Sequence, residues 1–170
     1  MDRVSKSISE WLEERFVKNQ NGIIIEQLEY SVFNLIHDFL EAKDHSHKTH
    51  AIYYNAFDGE SAAEFISILA EELNGKLGQY ASKFDPTPSA TIAKAELKMV
   101  IIDQCYCYTP KIADELLTWL NRHNVCLIFV GAESKIKPTQ FMSHPTMAKL
   151  ARFEVNAVCP YQDAALTVIS

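Results

Sequence analysis

Cysteine and long apolar runs are both scarce in this sequence of 170 residues, although 48% of it is hydrophobic. Four cysteines are too few for a disulfide scaffold, so the sequence predicts a reducing, cytoplasmic location. The longest apolar run, residues 125–130, has the length of a strand and falls far short of the roughly 20 residues that a membrane helix needs. Residues 1–14 alternate charged with single apolar side chains, which excludes a secretory signal peptide. We therefore expect no contact with a membrane.

An excess of basic residues is also missing. Lysine and arginine number 16 against 22 acidic residues, which gives a net charge of −6 and a pI near 5.5. Proteins that bind nucleic acid usually carry a basic stripe, so autonomous, non-specific DNA binding is disfavoured. The modest basic group formed by Lys135, Lys137 and Lys149 gives weak support for a local DNA contact.

Apolar, strand-like segments alternate along the chain with segments of helical periodicity. This alternation predicts an α/β fold, a doubly wound and mainly parallel five-stranded sheet with helices on both faces, formed by a single domain over residues 1–170. We expect an N-terminal helix within residues 1–20, an irregular loop over residues 74–90 and a last helix over residues 161–169. The predicted strands are residues 22–26, 51–55, 97–103, 125–130 and 152–158.

The third predicted strand ends in an acid. Asp103 follows four apolar residues, a pattern typical of the Walker B element, in which the acid holds Mg²⁺ directly or through water. The same pattern also arises where an acid caps a turn or pairs with a neighbour. The strand by itself leaves both alternatives open.

The order of the segments resembles that of AAA+ ATPases. A Walker B strand at residues 99–104, a helix at residues 111–122, a sensor strand ending in Val130-Gly131 and a helix running into Arg152-Phe153 follow one another in the family's order. The similarity is greatest to the transposition-regulator (TniB/TnsC) and ExeA-type branch, and it covers residues 21 to about 163. It implies an AAA+ core with a phosphate-binding loop after the first strand, here without the helical lid subdomain of the family.

The loop after the first strand departs from that pattern. A P-loop reads G-x-x-x-x-G-K-[ST], because glycines turn backbone N–H groups toward the phosphates, lysine neutralises charge and the hydroxyl ligates Mg²⁺. In register, Glu26 and Ser31 replace the glycines, Val32 replaces the lysine and Phe33 replaces the hydroxyl residue. Glu26 and Glu29 would also repel a triphosphate, by about 1 to 4 kcal/mol for each like-charge contact near 4 Å.

A second departure concerns hydrolysis. The family's Walker B acid is followed by a glutamate that positions the attacking water, whereas Asp103 is followed by Gln104, which cannot act as a carboxylate base. The two departures together predict a degenerate ATPase domain that uses neither ATP nor Mg²⁺ as a cofactor.

Arg152 occupies the position at which the resemblance places an arginine presented to the nucleotide of a neighbouring subunit. Such a trans arginine finger stabilises charge in the transition state. The alternative is a surface or salt-bridged arginine at the entry of a strand, which is the interpretation we favour.

Other arrangements give little support for chemistry. Cys105 and Cys107 have neither the spacing nor the second cysteine pair of a zinc site, and no G-x-S-x-G elbow marks a serine hydrolase. The sequence therefore assigns no catalytic and no metal-binding residue.

We interpret the sequence as a catalytically inactive, AAA+-like module that acts through protein interaction or regulation. The expected partner is a protein, either an intact AAA+ homologue or a second copy of the chain. Two alternatives stay open: an atypical nucleotide-binding protein or ATPase that uses Asp103, and a DNA-associated accessory factor in transposition.

Overall fold

A computed structural model describes residues 5–27, 32–45, 48–77, 87–155 and 166–169, which form an α/β fold. The strands are β1 (Ser5–Lys6), β2 (Gly22–Glu26), β3 (Asp44–His45), β4 (Lys48–Thr49), β5 (Ala51–Asn55), β6 (Met99–Asp103), β7 (Cys126–Ala132), β8 (Ala151–Val155) and β9 (Leu166–Ile169). The α-helices are α1 (Ile8–Lys18), α2 (Phe33–Ala42), α3 (Ala62–Leu77), α4 (Pro88–Ala95), α5 (Pro110–Arg122), α6 (Glu133–Ile136) and α7 (Pro145–Ala148). Single 3₁₀ turns occupy Cys105–Cys107, Lys137–Thr139 and Phe141–Ser143.

Within these residues, seven strands form one sheet in the order β1-β9-β8-β2-β7-β6-β5. The five strands from β8 to β5 are all parallel, which confirms the predicted doubly wound sheet. Strand β9 pairs antiparallel with β8, and β1 pairs antiparallel with β9, so two strands that the sequence did not predict extend one edge. Because β2 lies between β8 and β7, the first parallel strand occupies the interior of the sheet.

Helices cover both faces of the sheet and bury a separate core on each. Strand residues alternate between the faces, so Ile24 of β2 packs on one side and Ile25 on the other. Helices α1 and α2 bury the first face, whereas helices α3, α4 and α5 bury the second. Every side chain of β7 from Cys126 to Gly131 is buried, which makes β7 the centre of both cores.

Capping residues explain where several helices begin. Ser7 accepts a hydrogen bond from the N–H of Glu10 at the start of α1, and Thr109 accepts one from the N–H of Ile112 at the start of α5. Pro110 follows Thr109, at the first helical position, where the missing N–H costs nothing.

A buried carboxylate ties the loop after β5 to the segment after β6. Glu60 is 1% exposed and accepts hydrogen bonds from the hydroxyls of Tyr54 and Tyr108, the latter over 2.6 Å. These charge-assisted hydrogen bonds compensate for the burial of the acid. They fix the two loops that follow neighbouring strands at the carboxyl end of the sheet.

Two expectations about single elements were wrong. Residues 74–77 belong to α3 and residues 88–90 to α4, so the irregular loop predicted for residues 74–90 is helical at both ends. Residues 166–169 form strand β9 where a last helix was expected, and the rest of that predicted helix lies outside the described residues. The predicted N-terminal helix is confirmed as α1, but residues 5–6 before it form β1.

None of the described helices combines the length and the apolar character that crossing a bilayer requires.

Candidate functional site

The carboxyl ends of β2 and β6 bring two acids to the same edge and the same face of the sheet. Glu26 is the last residue of β2 and Asp103 the last of β6, and only β7 separates the two strands. Each acid lies two residues after a side chain of the core beneath α1 and α2, namely Ile24 and Ile101. Since side chains alternate along a strand, both carboxylates point to that face. We call Glu26, Asp103 and the nearby Tyr53 the acid–tyrosine site.

Glu26 is the buried member of this site. Its side chain and backbone together are only 7% exposed. Burial, reinforced by the negative charge of Asp103, raises the pKa of Glu26 from 4.5 to about 7, and a hydrogen bond with the backbone of Val32 offsets only part of this rise. Glu26 is therefore a carboxyl group that holds its proton up to nearly neutral pH.

Asp103 is held by two donors within the chain. The hydroxyl of Tyr53 donates to Oδ2, and the backbone N–H of Gln104 donates to Oδ1 over 2.7 Å. Tyr53 reaches the acid because it lies two residues before Asn55, the β5 residue in register with Asp103. Burial and the interaction with Asp103 raise the pKa of Tyr53, so its hydroxyl remains a donor at physiological pH.

The residues at the degenerate P-loop positions are acidic or apolar where the structure describes them. Ser31 lies outside the described residues. Val32 is fully buried directly before α2, and Phe33 is the first residue of that helix. The ring of Phe33 packs edge-on against Tyr53 with 4.8 Å between centroids and remains 38% exposed. Phe33 therefore closes one side of the acid–tyrosine site with an apolar ring.

Gln104 lies in the turn that follows Asp103. Its backbone has a φ of 56°, in the left-handed region, and its side chain is exposed. This turn starts the 3₁₀ segment Cys105–Cys107. The amide side chain that replaces the hydrolytic glutamate is open to solvent.

Arg152 lies on the opposite face of the sheet from the acid–tyrosine site. It is the second residue of β8 rather than a residue ahead of that strand, and it is in register with Ile23, whose side chain belongs to the other core. Its Nη1 atom is 4.0 Å from Oε1 of Glu154, and its side chain is 38% exposed. Together with Glu133 and Lys137 it lines a cleft of about 200 Å³. An ion pair this long and exposed contributes little, and the finger role of Arg152 stays a prediction.

The two cysteines after β6 are poor nucleophiles. Burial raises the pKa of the Cys105 thiol, and burial with a hydrogen bond to Asp58 raises the pKa of Cys107 to about 11. Thiols of this kind remain protonated at neutral pH. Among the residues that the structure describes, no group of three or more His, Cys, Asp or Glu side chains could hold a metal ion.

Sequence reasoning missed Tyr53 as a member of the site. Only its position in β5, two residues before the end of a strand, links it to Asp103, and that link depends on knowing that β5 and β6 are neighbours. The pattern of residues 51–55 contains no sign of this pairing.

Comparison of the chain with known proteins adds no family assignment, since no protein-family model matches it and no curated protein is significantly similar to it.

Proposed function

We propose that this chain is an AAA+-like domain that has lost nucleotide chemistry and acts as a protein-interaction or regulatory subunit. The observation that carries this proposal is the position of Glu26. The resemblance places a phosphate-binding loop directly after the first strand, and there the chain has a buried carboxyl group next to Asp103. A ligand with several negative charges meets the charge of Asp103 at this point, and Glu26 adds a second negative charge once it loses its proton near pH 7.

The hydrogen bonds of Glu26 support the proposal. A helix N-terminus binds phosphate through its free backbone N–H groups. At the start of α2, a hydrogen bond already joins the backbone of Val32 to the carboxyl group of Glu26. The chain thus supplies its own acid to a backbone group that a phosphate would need.

The environment of Asp103 likewise argues against the binding of Mg²⁺. A Walker B acid offers its oxygens to the metal or to the waters around it. Here Tyr53 donates to one oxygen of Asp103 and Gln104 to the other. A cation at Asp103 would share these oxygens with the two donors.

Thermal unfolding in the presence of ATP and Mg²⁺ tests the proposal. We expect the melting temperature of the full chain to stay unchanged, because no site takes up the nucleotide. A ligand at one hundred times its Kd would instead stabilise the fold by about 2.7 kcal/mol, a shift of several degrees. Asp103→Asn is the matched variant, since it removes the charge of the Walker B acid and retains its shape.

One result would reject the loss of nucleotide binding in favour of the atypical ATPase. That result is a rise in melting temperature that saturates with ATP concentration in the wild-type chain and disappears in Asp103→Asn. Magnesium chloride alone and inorganic phosphate serve as controls for a general effect of salt.

Exposed aromatic side chains near the carboxyl ends of the strands support a protein partner. Phe33 at the start of α2 is 38% exposed, and Phe57, two residues beyond β5, is 42% exposed. Aromatic residues supply much of the binding energy in protein interfaces. We expect the partner, an AAA+ homologue or a second copy of this chain, to contact this edge.

A further inference from the structure

A serine and a histidine that are far apart in sequence meet where α4 begins and α5 ends. The Oγ atom of Ser89 lies 2.9 Å from Nε2 of His123, and Nδ1 of His123 lies 2.8 Å from the carbonyl oxygen of Trp119. His123 lies three residues before β7 begins, so this pair is at the amino ends of the strands, away from the acid–tyrosine site. Ser89 is exposed and His123 is partly exposed.

The carbonyl of Trp119 determines the direction of both hydrogen bonds. A carbonyl oxygen only accepts, so the proton of the neutral imidazole is on Nδ1. The lone pair of Nε2 is then the acceptor, and the hydroxyl of Ser89 donates to it. A serine nucleophile next to a general base requires this arrangement, in which a third group holds the far nitrogen of the imidazole.

The end of α5 keeps the imidazole of His123 in place. The N–H of His123 bonds to the carbonyl of Leu120, which leaves the carbonyl of Trp119 for the side chain. The ring of Trp119 also packs against the imidazole, with 4.4 Å between centroids. The carbonyl of Trp119 thus fixes the orientation and the tautomer of the imidazole.

The start of α4 supplies a donor next to the nucleophile. Thr87 caps this helix, where it accepts the N–H of Ala90 through its side chain and the N–H of Thr91 through its carbonyl. Pro88 has no N–H. The N–H of Ser89 itself belongs to the first turn, which has no intrahelical acceptor, and it lies at the positive end of the helix. This is a suitable position for stabilising an oxyanion that forms on an atom bonded to Oγ.

We propose that Ser89 and His123 form a nucleophile–base pair that hydrolyses small carboxylic esters. Oγ of Ser89 bonds to the ester carbonyl carbon while Nε2 of His123 takes the hydroxyl proton. The carbon–oxygen bond to the alcohol then breaks, and the imidazolium returns the proton to the departing alkoxide. Water, activated by the same nitrogen, attacks the acyl-serine, and the acid product leaves as Oγ regains its proton. Ser89 is exposed, so a small, unhindered ester can reach its Oγ atom. This activity does not depend on the function proposed above.

Labelling with a fluorophosphonate probe tests the pair, because Oγ bonds to phosphorus as fluoride leaves and the imidazole takes the proton. We expect mass spectrometry to find the adduct on Ser89 in the wild-type chain and none there in Ser89→Ala. Removing a general base costs about 100-fold in rate or more, so His123→Gln should label at least that much more slowly. The rate of p-nitrophenyl acetate hydrolysis should likewise be lower in Ser89→Ala and in His123→Gln than in the wild-type chain.

Ser143→Ala is the matched control, since Ser143 is an exposed serine outside the Ser89–His123 pair. It should label and hydrolyse at the wild-type rate. Circular dichroism and melting temperature establish that each variant is folded, and His123→Asn replaces His123→Gln if the latter is not. Absence of an adduct on Ser89 in the wild-type chain, or an unchanged labelling rate in the folded histidine variant, would overturn the proposal.

Discussion

At the scale of single residues, Glu26 has the clearest effect on stability. Its pKa is about 7 in the folded chain against 4.5 for an ordinary glutamate. Between these two values the unfolded chain releases the proton while the folded chain keeps it. The free energy of unfolding contributed by Glu26 therefore decreases as the pH rises from about 4.5 to about 7, and changes little above that range.

The variant Glu26→Gln should remove this dependence. Glutamine has the shape of the protonated acid and still accepts from the backbone of Val32, but it has no charge to bury. We expect Glu26→Gln to be more stable than the wild-type chain by about 1 to 3 kcal/mol at pH 8, and of similar stability near pH 4. Urea unfolding at both pH values measures the difference.

Glu71→Gln is the control for Glu26→Gln, because Glu71 is exposed on α3. It should change stability little at either pH. A lower stability of Glu26→Gln at pH 8 would show that the charged carboxylate is well solvated or paired in the fold.

Individual site residues were predictable from the sequence, but their contacts were not. The apolar run before Asp103 indicates that acid, and the absence of P-loop glycines after β2 draws attention to Glu26. That they meet, and that Tyr53 donates to one of them, depends on strand order and on the face to which each side chain points. The pair formed by Ser89 and His123 is harder still to predict from the sequence, because no sequence motif precedes either residue.

At the scale of elements, Gly75 and Gly22 differ in the space that a side chain would have at each position. Gly75 lies within α3, and a Cβ atom added there would meet no heavy atom within 4 Å. Gly22 begins β2, and a Cβ atom there would lie 2.6 Å from the ring of Trp11 and 3.0 Å from the carbonyl oxygen of Ala151. Trp11 is 1% exposed, so its ring has little room to move.

Alanine substitutions at these glycines should therefore have opposite signs. Gly75→Ala should stabilise the chain by about 0.5 to 1 kcal/mol, because alanine loses less backbone entropy in a helix. Gly22→Ala should destabilise it by about 1 to 3 kcal/mol through overpacking. Chemical denaturation of both variants tests the pair, and equal effects would show that α1 does not pack tightly against β2.

The elements that the sequence predicted wrongly share a physical cause. Pro88 lies within the loop predicted for residues 74–90, but after the capping side chain of Thr87 it occupies the first position of α4, where proline is favoured. Residues 166–169 lie between β1 and β8 in the sheet, and the apolar and β-branched residues there suit a strand. Tertiary context decided both outcomes. The interior strands were predicted correctly because a strand buried on two faces is apolar throughout.

At the scale of the whole molecule, the exposed aromatic side chains and the acid–tyrosine site lie at the carboxyl end of the sheet. If a partner docks there without nucleotide, its affinity should not depend on ATP bound by this chain. We expect sedimentation velocity of the chain alone to give the same association constant with and without ATP and Mg²⁺. The double variant Phe33→Ser and Phe57→Ser should associate at least about tenfold more weakly, because aromatic anchors contribute more than 1 kcal/mol each.

The comparison variant for this experiment is Val17→Ser, because Val17 is 73% exposed near the end of α1, which leads into the amino end of β2 rather than the carboxyl end. Its association should match that of the wild-type chain. A strictly monomeric wild-type chain would exclude a second copy as the partner and leave an AAA+ homologue. An association that requires ATP would contradict the loss of nucleotide binding.

The burial of β7 from Cys126 to Gly131 has a cost when the chain is not folded. The residues from Cys126 to Val130 carry no charge, no proline and no glycine, and four of the five are large and apolar. Such a segment, released from the interior, is prone to stack with copies of itself into cross-β aggregates. We therefore expect heating of the chain in concentrated solution to end in precipitation rather than in refolding.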